Sequence, residues 1–221
     1  KEKVFYLCEY LKDIKYVEFI DISKDNDFDF GSYKRVSEHY LNYDILFLNS
    51  HSYPNCNDWL IKLAKHKNDN NIIGTSGSFE SMTDSIKLKK FYKFFSYFFK
   101  KLRFKRNFPS YPNPHLRTSS FFINGKSFNE FIKYKKINNK YDSWKIESGI
   151  NNLTSFFKQK KFDIYVVNSD GNKFNEKDWH LSQTYNYLDQ SKSIISDKHT
   201  RKYAELSKSD KLKVQYQTWQ I

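Results

Sequence analysis

The chain has 221 residues, 38 of them Lys or Arg against 25 Asp or Glu, giving a formal net charge of +13. Hydrophobic residues make up 38% and aromatic residues 19%, so any core is built largely from Phe and Tyr. This length suits one domain, or one domain with a tail. No run approaches the 18 or so apolar residues of a spanning helix, and Cys8 and Cys56 stand in no metal-type or redox-type spacing, which excludes a disulfide framework. Alanine occurs only at Ala64 and Ala204 while Lys, Asn, Ile, Tyr and Phe abound, the skew of AT-rich coding, so codon usage accounts for part of the lysine excess. The remaining basic charge favours anionic partners such as nucleotide phosphates or lipid headgroups.

Val4, Leu7, Cys8 and Leu11 recur at helical spacing, and Tyr16 to Ile22 alternates as a strand. An acidic loop, Asp25-Asn-Asp-Phe-Asp-Phe30, opens a helix from about Gly31 to Asn42, followed by a buried strand from Asp44 to Leu48. Asn57 or Asp58 caps a helix through Lys65, and Asn71 to Thr75 is a short strand. A long helix spans about Asp84 to Phe104, broken by the Pro-rich loop Phe108–Pro114. Ser119 to Ile123 is a strand, Ser127 to Lys135 a helix, Trp144 to Lys160 a helix interrupted at Gly149, and Phe162 to Val167 a strand. A helix from about Asp197 to Gln217 closes the chain. Strands alternating with helices predict a largely parallel sheet covered on both faces.

Four constellations, with a glycine-containing loop between the second and third, carry chemistry. In the first, Asp27 and Asp29 alternate with Phe28 and Phe30 ahead of Gly31 and Lys34. A solvated turn would be polar throughout, whereas here both rings must be buried or covered. Aromatic faces beside carboxylates suit a base and ribose. The second is Asn49-Ser50-His51-Ser52 at a strand end, where ligands collect in open α/β sheets. Gly74-Thr-Ser-Gly77-Ser78, followed by Phe79 and Glu80, could present backbone N–H groups to an anion, although it lacks the phosphate-loop spacing. The third is Tyr111-Pro-Asn-Pro-His-Leu-Arg-Thr118, a stiff loop presenting Asn113, His115, Arg117 and Thr118. The fourth is Glu147-Ser-Gly-Ile-Asn-Asn-Leu-Thr154.

These motifs together resemble glycosyltransferases of the GT-A fold, in particular bacterial enzymes that build surface polysaccharides of the O-antigen, capsule or rhamnan type. The resemblance runs from about Asp25 to Thr200. It implies a GT-A-like (Rossmann-like), mostly parallel sheet with helices on both faces and without the family's first strand, in a domain over residues 1–196 with a helical tail, 197–221, packed on it. It implies transfer of a hexosyl or deoxyhexosyl group, with inversion, from a nucleotide-diphosphate-sugar to a surface glycan or lipid-linked acceptor. Glu147, at the start of a helix, is then the general base, with Asp142 in reserve. Asp27, Asp29, Gly31, Lys34, Asn49, Ser50, His51 and Gly77 bind the donor, with Asp29 the main nucleoside contact. Asn113, His115, Arg117, Thr118 and Trp179 meet the acceptor or phosphates.

The sequence departs from the family at Asn49–Ser52, where most members carry Asp-x-Asp around Mn²⁺ or Mg²⁺. Either other groups hold the cation, His51 and His199 being candidates, or cationic side chains stabilise the leaving diphosphate instead. The aromatic periodicity of residues 84–104, with many lysines and no acid beyond Asp84, suggests a membrane-surface contact, and hence a cytoplasmic protein peripheral to the inner face of the membrane. Two alternatives stand beside this reading: a nucleotide-sugar-binding domain that has lost catalysis, and a basic nucleic-acid-binding module. The second has no recognisable motif and an acidic loop that would repel phosphates, so no nucleic-acid partner is expected.

Overall fold

A computed structural model describes residues 9, 12, 13, 15–19, 21, 27–86, 92 and 94–221. Of the helix expected around Val4–Leu11 only Glu9 is described, and it is helical; Cys8 and Asp25 lie outside the described residues. Of the strand expected at Tyr16–Ile22, residues 16–19 have no regular secondary structure.

The fold is α/β, with a five-stranded mixed sheet. Its strands are β1 (Asp44–Leu48), β3 (Asn71–Gly74), β6 (Ser120–Asn124), β7 (Asp163–Val167) and β8 (Lys173–Phe174), in the order β1-β6-β3-β7-β8. Only β3 and β7 pair in parallel; β6 is antiparallel to both β1 and β3, and β8 to β7. The expectation of a mostly parallel sheet is therefore corrected. The physical reason is the long excursion between β3 and β6, which is no simple crossover and returns the chain in the opposite direction between β1 and β3. Even so, β1, β3 and β7 share one direction, because β1 and β3 are each antiparallel to β6. Their carboxyl ends meet the amino end of β6 at one edge, with Leu48 opposite Ser120 and Gly74 opposite Phe121.

Alternation along the strands splits the core into two layers. Phe47, Ile72, Phe121, Ile123 and Val166 face one cluster, while Ile73, Phe122 and Val167 face the other. The first cluster is covered by α1 (Phe28–His39) through Phe30 and Tyr33, by α4 (Gly125–Ile132) through Phe128 and Ile132, and by α6 (Leu153–Gln159) through Phe157. The second is covered by Leu63 of α2 (Trp59–Ala64) and by Ile194 and Ile195. Burying each such side chain contributes about 1.5–3 kcal/mol, and the Phe47–Phe121–Phe128 contacts, at centroid distances of 4.6–5.5 Å, tie β1, β6 and α4 together.

Two short pairs flank the sheet: β4 (Gly77–Ser78) with β5 (His115–Leu116), and β2 (Tyr53–Pro54) with β9 (Ile195–Ser196). The helix expected at residues 144–160 is interrupted at Gly149 as the sequence suggested, but starts earlier: α5 (Lys140–Ser148) ends there and α6 follows, with Asn152 capping its N-terminus by accepting from Ser155 N. Likewise residues 197–221 form α7 (Lys198–Ala204), capped by Asp197, and α8 (Lys208–Trp219), capped by Ser207. Trp219 of α8 joins the first core cluster. Among the described residues no helix is long and apolar enough to cross a membrane.

Candidate active site

The edge where β1 and β3 end carries two adjoining depressions. The smaller, about 190 Å³, is lined by Ser78, Glu80, His115, Arg117, Glu147 and Tyr185, with Ser148 and His199 at its wall. Glu147 sits in the last turn of α5, not at a helix start as the sequence suggested. There the dipole does not favour a carboxylate; a tertiary contact holds it instead, Oε1 accepting the backbone N–H of Thr118 at 3.0 Å. Asn113 donates to the carbonyl of Ser148 (2.8 Å), which fastens the Pro-rich loop to the end of α5. The carbonyl of Asn113 in turn accepts from His115 Nδ1 at 2.7 Å. A carbonyl can only accept, so Nδ1 carries the proton and Nε2 keeps a lone pair. Burial pushes the His115 pKa down, against the pull of Glu147, and keeps the ring neutral.

Arg117 is buried and held from three sides. Nη2 lies 2.8 Å from Asp197 Oδ2, the guanidinium covers the Tyr185 ring at 3.9 Å, and Nη1 reaches Ser76 Oγ at 3.4 Å. Burial alone would raise the Asp197 pKa; the Arg117 charge and the hydrogen bonds from Thr200, Ser119 and Arg117 outweigh it and bring it down to about 2. Glu80 is the opposite case. Burial raises its pKa, Glu147 adds to the rise, and Arg117 only partly offsets them. The last residue of the Glu147–Thr154 motif is architectural, because Thr154 Oγ1 accepts the N–H of Leu116 at 2.8 Å.

The larger depression, about 500 Å³, is lined by Asp27, Phe28, Asp29, Ser32, Tyr33 and Leu48. Phe30 is buried, but Phe28 is 52% exposed, which corrects the expectation that both rings are covered. Phe28 begins α1 with φ +51°, a backbone conformation unusual for a bulky residue, and this turns its ring outward. Asp29 is open to solvent, yet surrounding protein raises its pKa; His51 lowers it and Glu147 raises it, so its carboxylate feels both depressions. The Tyr33 hydroxyl, buried beside it, has no hydrogen-bond partner among the described residues. Asp27 is instead occupied by Arg35, 2.5 Å away. Gly31 serves that arrangement, since a Cβ there would lie 1.9 Å from the Asp27 carboxyl carbon.

Several expected site residues serve other purposes. Trp179 is 1% exposed and packs on Gly77, where a Cβ would approach the indole to 2.4 Å. Both are core positions, since the 3-10 turn Glu176–Ser182 carries Trp179 inward beneath β4. The Gly74–Ser78 stretch is not an open anion loop: Thr75 N donates to Ser120 O (3.3 Å) and Gly77–Ser78 pair with β5. Lys34 reaches the carbonyl of Lys135 (3.4 Å), away from both depressions. Asp142, the reserve base, lines a separate basic cavity and pairs with Lys145 at 2.7 Å. Ser50 is exposed.

The residues at Asn49–Ser52 do not fit a divalent cation. Asn49 Oδ1 accepts from His51 N (3.0 Å) and Ser52 Oγ (2.9 Å), which occupies both its lone pairs. The carbonyl of His51 accepts both Nη groups of Arg201 (3.2 Å each). A cation is already built into this turn, but it is a guanidinium. Among the described residues no three His, Cys, Asp or Glu side chains group as metal ligands, and His51 and His199 lack such company.

Glu80 and Tyr185 were not foreseen as site residues. Glu80 follows directly on the Gly77-Ser78-Phe79 pattern and had a signal in the sequence; Tyr185 had none. Comparison with protein-family models, curated proteins and solved structures finds no match.

Proposed function

We propose that the protein is a GT-A-like glycosyltransferase that moves a sugar from a nucleoside-diphosphate-sugar to a surface glycan or lipid-linked acceptor. The observation that carries this reading is the convergence of Glu147, His115 and Arg117 in one small cavity at the carboxyl edge of the strands, beside a second depression with an outward aromatic ring and carboxylate. In this reading Phe28 stacks on the base and Asp29 accepts a ribose hydroxyl.

The sugar and acceptor occupy the smaller cavity. The acceptor oxygen forms its bond to the anomeric carbon as Glu147 takes the hydroxyl proton, and the anomeric carbon–oxygen bond to the diphosphate breaks with its electron pair leaving on the nucleoside diphosphate. Attack opposite the leaving group inverts the anomeric centre. Arg117, fixed before substrate arrives, and Arg201 at the β1 turn supply positive charge to the diphosphate, the kind of preorganised stabilisation that lowers a barrier without reorganisation. His115 Nε2 accepts from a sugar hydroxyl, and Glu80 holds a second one.

The deciding experiment is release of nucleoside diphosphate from a panel of nucleotide-sugars, with and without glycan acceptors. Turnover that disappears in Glu147→Gln supports the reading. Tight donor binding with no turnover on any acceptor would make the protein a binding domain, and no affinity for any nucleoside diphosphate would end both.

A further inference from the structure

Helix α3 (Phe94–Lys105) is nearly bare. Phe104 alone is buried, stacking on Phe108 at 5.1 Å and edge-on to Tyr141 at 5.3 Å. Phe94, Phe95, Phe98, Phe99 and Leu102 fall on one face at 3.6 residues per turn, and all are exposed, Phe95 at 76% and Phe99 at 67%. A single twelve-residue helix is marginal in water by itself, and a contiguous aromatic face of this kind marks an interaction surface. The helix carries Lys100, Lys101, Arg103 and Lys105 and no acidic residue. Lys101 flanks the aromatic stripe on one side and Arg103 on the other, and Lys105 closes its C-terminal end.

One residue beyond the helix begins a cavity of about 400 Å³, lined by Arg106, Lys135, Lys136 and Lys145, with Asp142 the only carboxylate. Asp142 pairs with Lys145, and Lys135 Nζ is 3.3 Å from the carbonyl of Asn151; no carboxylate pairs with Arg106, Lys135 or Lys136 among the described residues. Burial and the neighbouring Lys145 both push the Lys135 pKa down, so the cavity holds positive charge that an anion would relieve.

We propose that α3 lies in the interface of an anionic membrane, its Phe face among the acyl chains, while the Arg106–Lys135–Lys136–Lys145 cavity takes the phosphate of a lipid headgroup. The chemistry fits a basic interfacial helix, in which apolar burial and attraction to anionic lipid act together. The charge selects lipid over a second copy of the chain, since pairing two such helices would bring like charges together. The inference goes beyond glycosyl transfer and does not rest on it, because binding is read without donor or acceptor.

The test is cosedimentation of the full chain with phosphatidylcholine vesicles and with vesicles containing one third phosphatidylglycerol, at low and physiological salt. Expected are preferential binding to the anionic vesicles, weakening with salt, at least a tenfold loss in Phe95→Ser/Phe99→Ser, and a clear loss in Lys135→Gln/Lys136→Gln. All four positions are at the surface or in the open cavity, and unchanged circular dichroism and melting check the fold. Equal binding to neutral and anionic vesicles, or variants that bind like the parent, overturns the proposal. So does a dimer in sedimentation velocity that Phe95→Ser/Phe99→Ser dissolves, since a second copy would then occupy the face.

Discussion

The carboxylate of Glu147 accepts the backbone N–H of Thr118 at 3.0 Å. This bond joins the end of α5 to the residues leading into β6 and aims a helix-terminal carboxylate into the cavity shared with His115 and Arg117. It consumes one lone pair of one oxygen, leaving the rest of the carboxylate for a substrate proton.

Glu147→Gln should therefore retain the Thr118 bond through its amide oxygen and lose only basicity. General-base contributions run at about 10²–10⁴-fold, so transfer turnover should fall by that factor with donor affinity and melting temperature almost unchanged. Turnover within a factor of two of the parent would remove Glu147 from the chemistry.

Glu80→Gln should stabilise the protein at neutral pH while impairing transfer. The folded-state pKa of Glu80 is raised, chiefly by burial, so its ionised form is disfavoured in the fold, and the cost grows as pH rises through the unfolded value toward the folded one. The amide removes that cost. Thermal melts at pH 7 should show a higher midpoint for the variant, with the difference vanishing in acid; a lower midpoint at pH 7 would refute the argument.

Asp197→Asn keeps the oxygen that caps α7 but leaves Arg117 buried without its counter-charge. Breaking such a pair costs about 3–5 kcal/mol, visible as a lower urea midpoint at pH 7. The parent should show the matching pH dependence. Because the folded pKa of Asp197 is depressed to about 2 from an ordinary value near 3.8, its contribution is complete above the unfolded value and is lost as pH falls toward 2. That loss amounts to about 2 kcal/mol, and the Asn variant should lack it. Parallel pH profiles for parent and variant would contradict the assignment.

Asp29→Ala should weaken nucleoside diphosphate binding in calorimetry without altering the fold, since the side chain is open to solvent and the packing of α1 runs through Phe30 and Tyr33. Loss of a charge-assisted hydrogen bond to a ribose hydroxyl corresponds to about 1.5–3 kcal/mol. Unchanged affinity would move the nucleoside elsewhere.

Chelation should leave transfer running. Both lone pairs of Asn49 Oδ1 are engaged and Arg201 occupies the His51 carbonyl, so charge at this turn comes from a side chain. Transfer that stops with a chelator and returns with Mn²⁺ would point to ligands elsewhere in the chain.

The sequence by itself determined the central strands. Strand β1 runs from Asp44 to Leu48 as expected, and β3 and β7 lie within a residue of their expected ends, because apolar runs bounded by Asn, Gly and Asp need no distant partner to be recognised. The Pro112–Thr118 and Glu147–Thr154 motifs were legible too, and Asn113, His115, Arg117 and Glu147 do come together. Strand direction was not legible: that β6 runs antiparallel between β1 and β3 depends on pairings some fifty to eighty residues apart along the chain, which no local pattern encodes. Nor could spacing tell Trp179, drawn under Gly77, from Phe28, turned outward by its backbone. Tyr185 and Asp197 reach Arg117 from separate segments while Glu80 feels its charge from a third, and the neighbours that set their pKa values exist only once the chain is closed. Periodicity fixes what a segment is; the long-range contacts of the folded chain decide which way it runs, which side chains are covered and which charges meet.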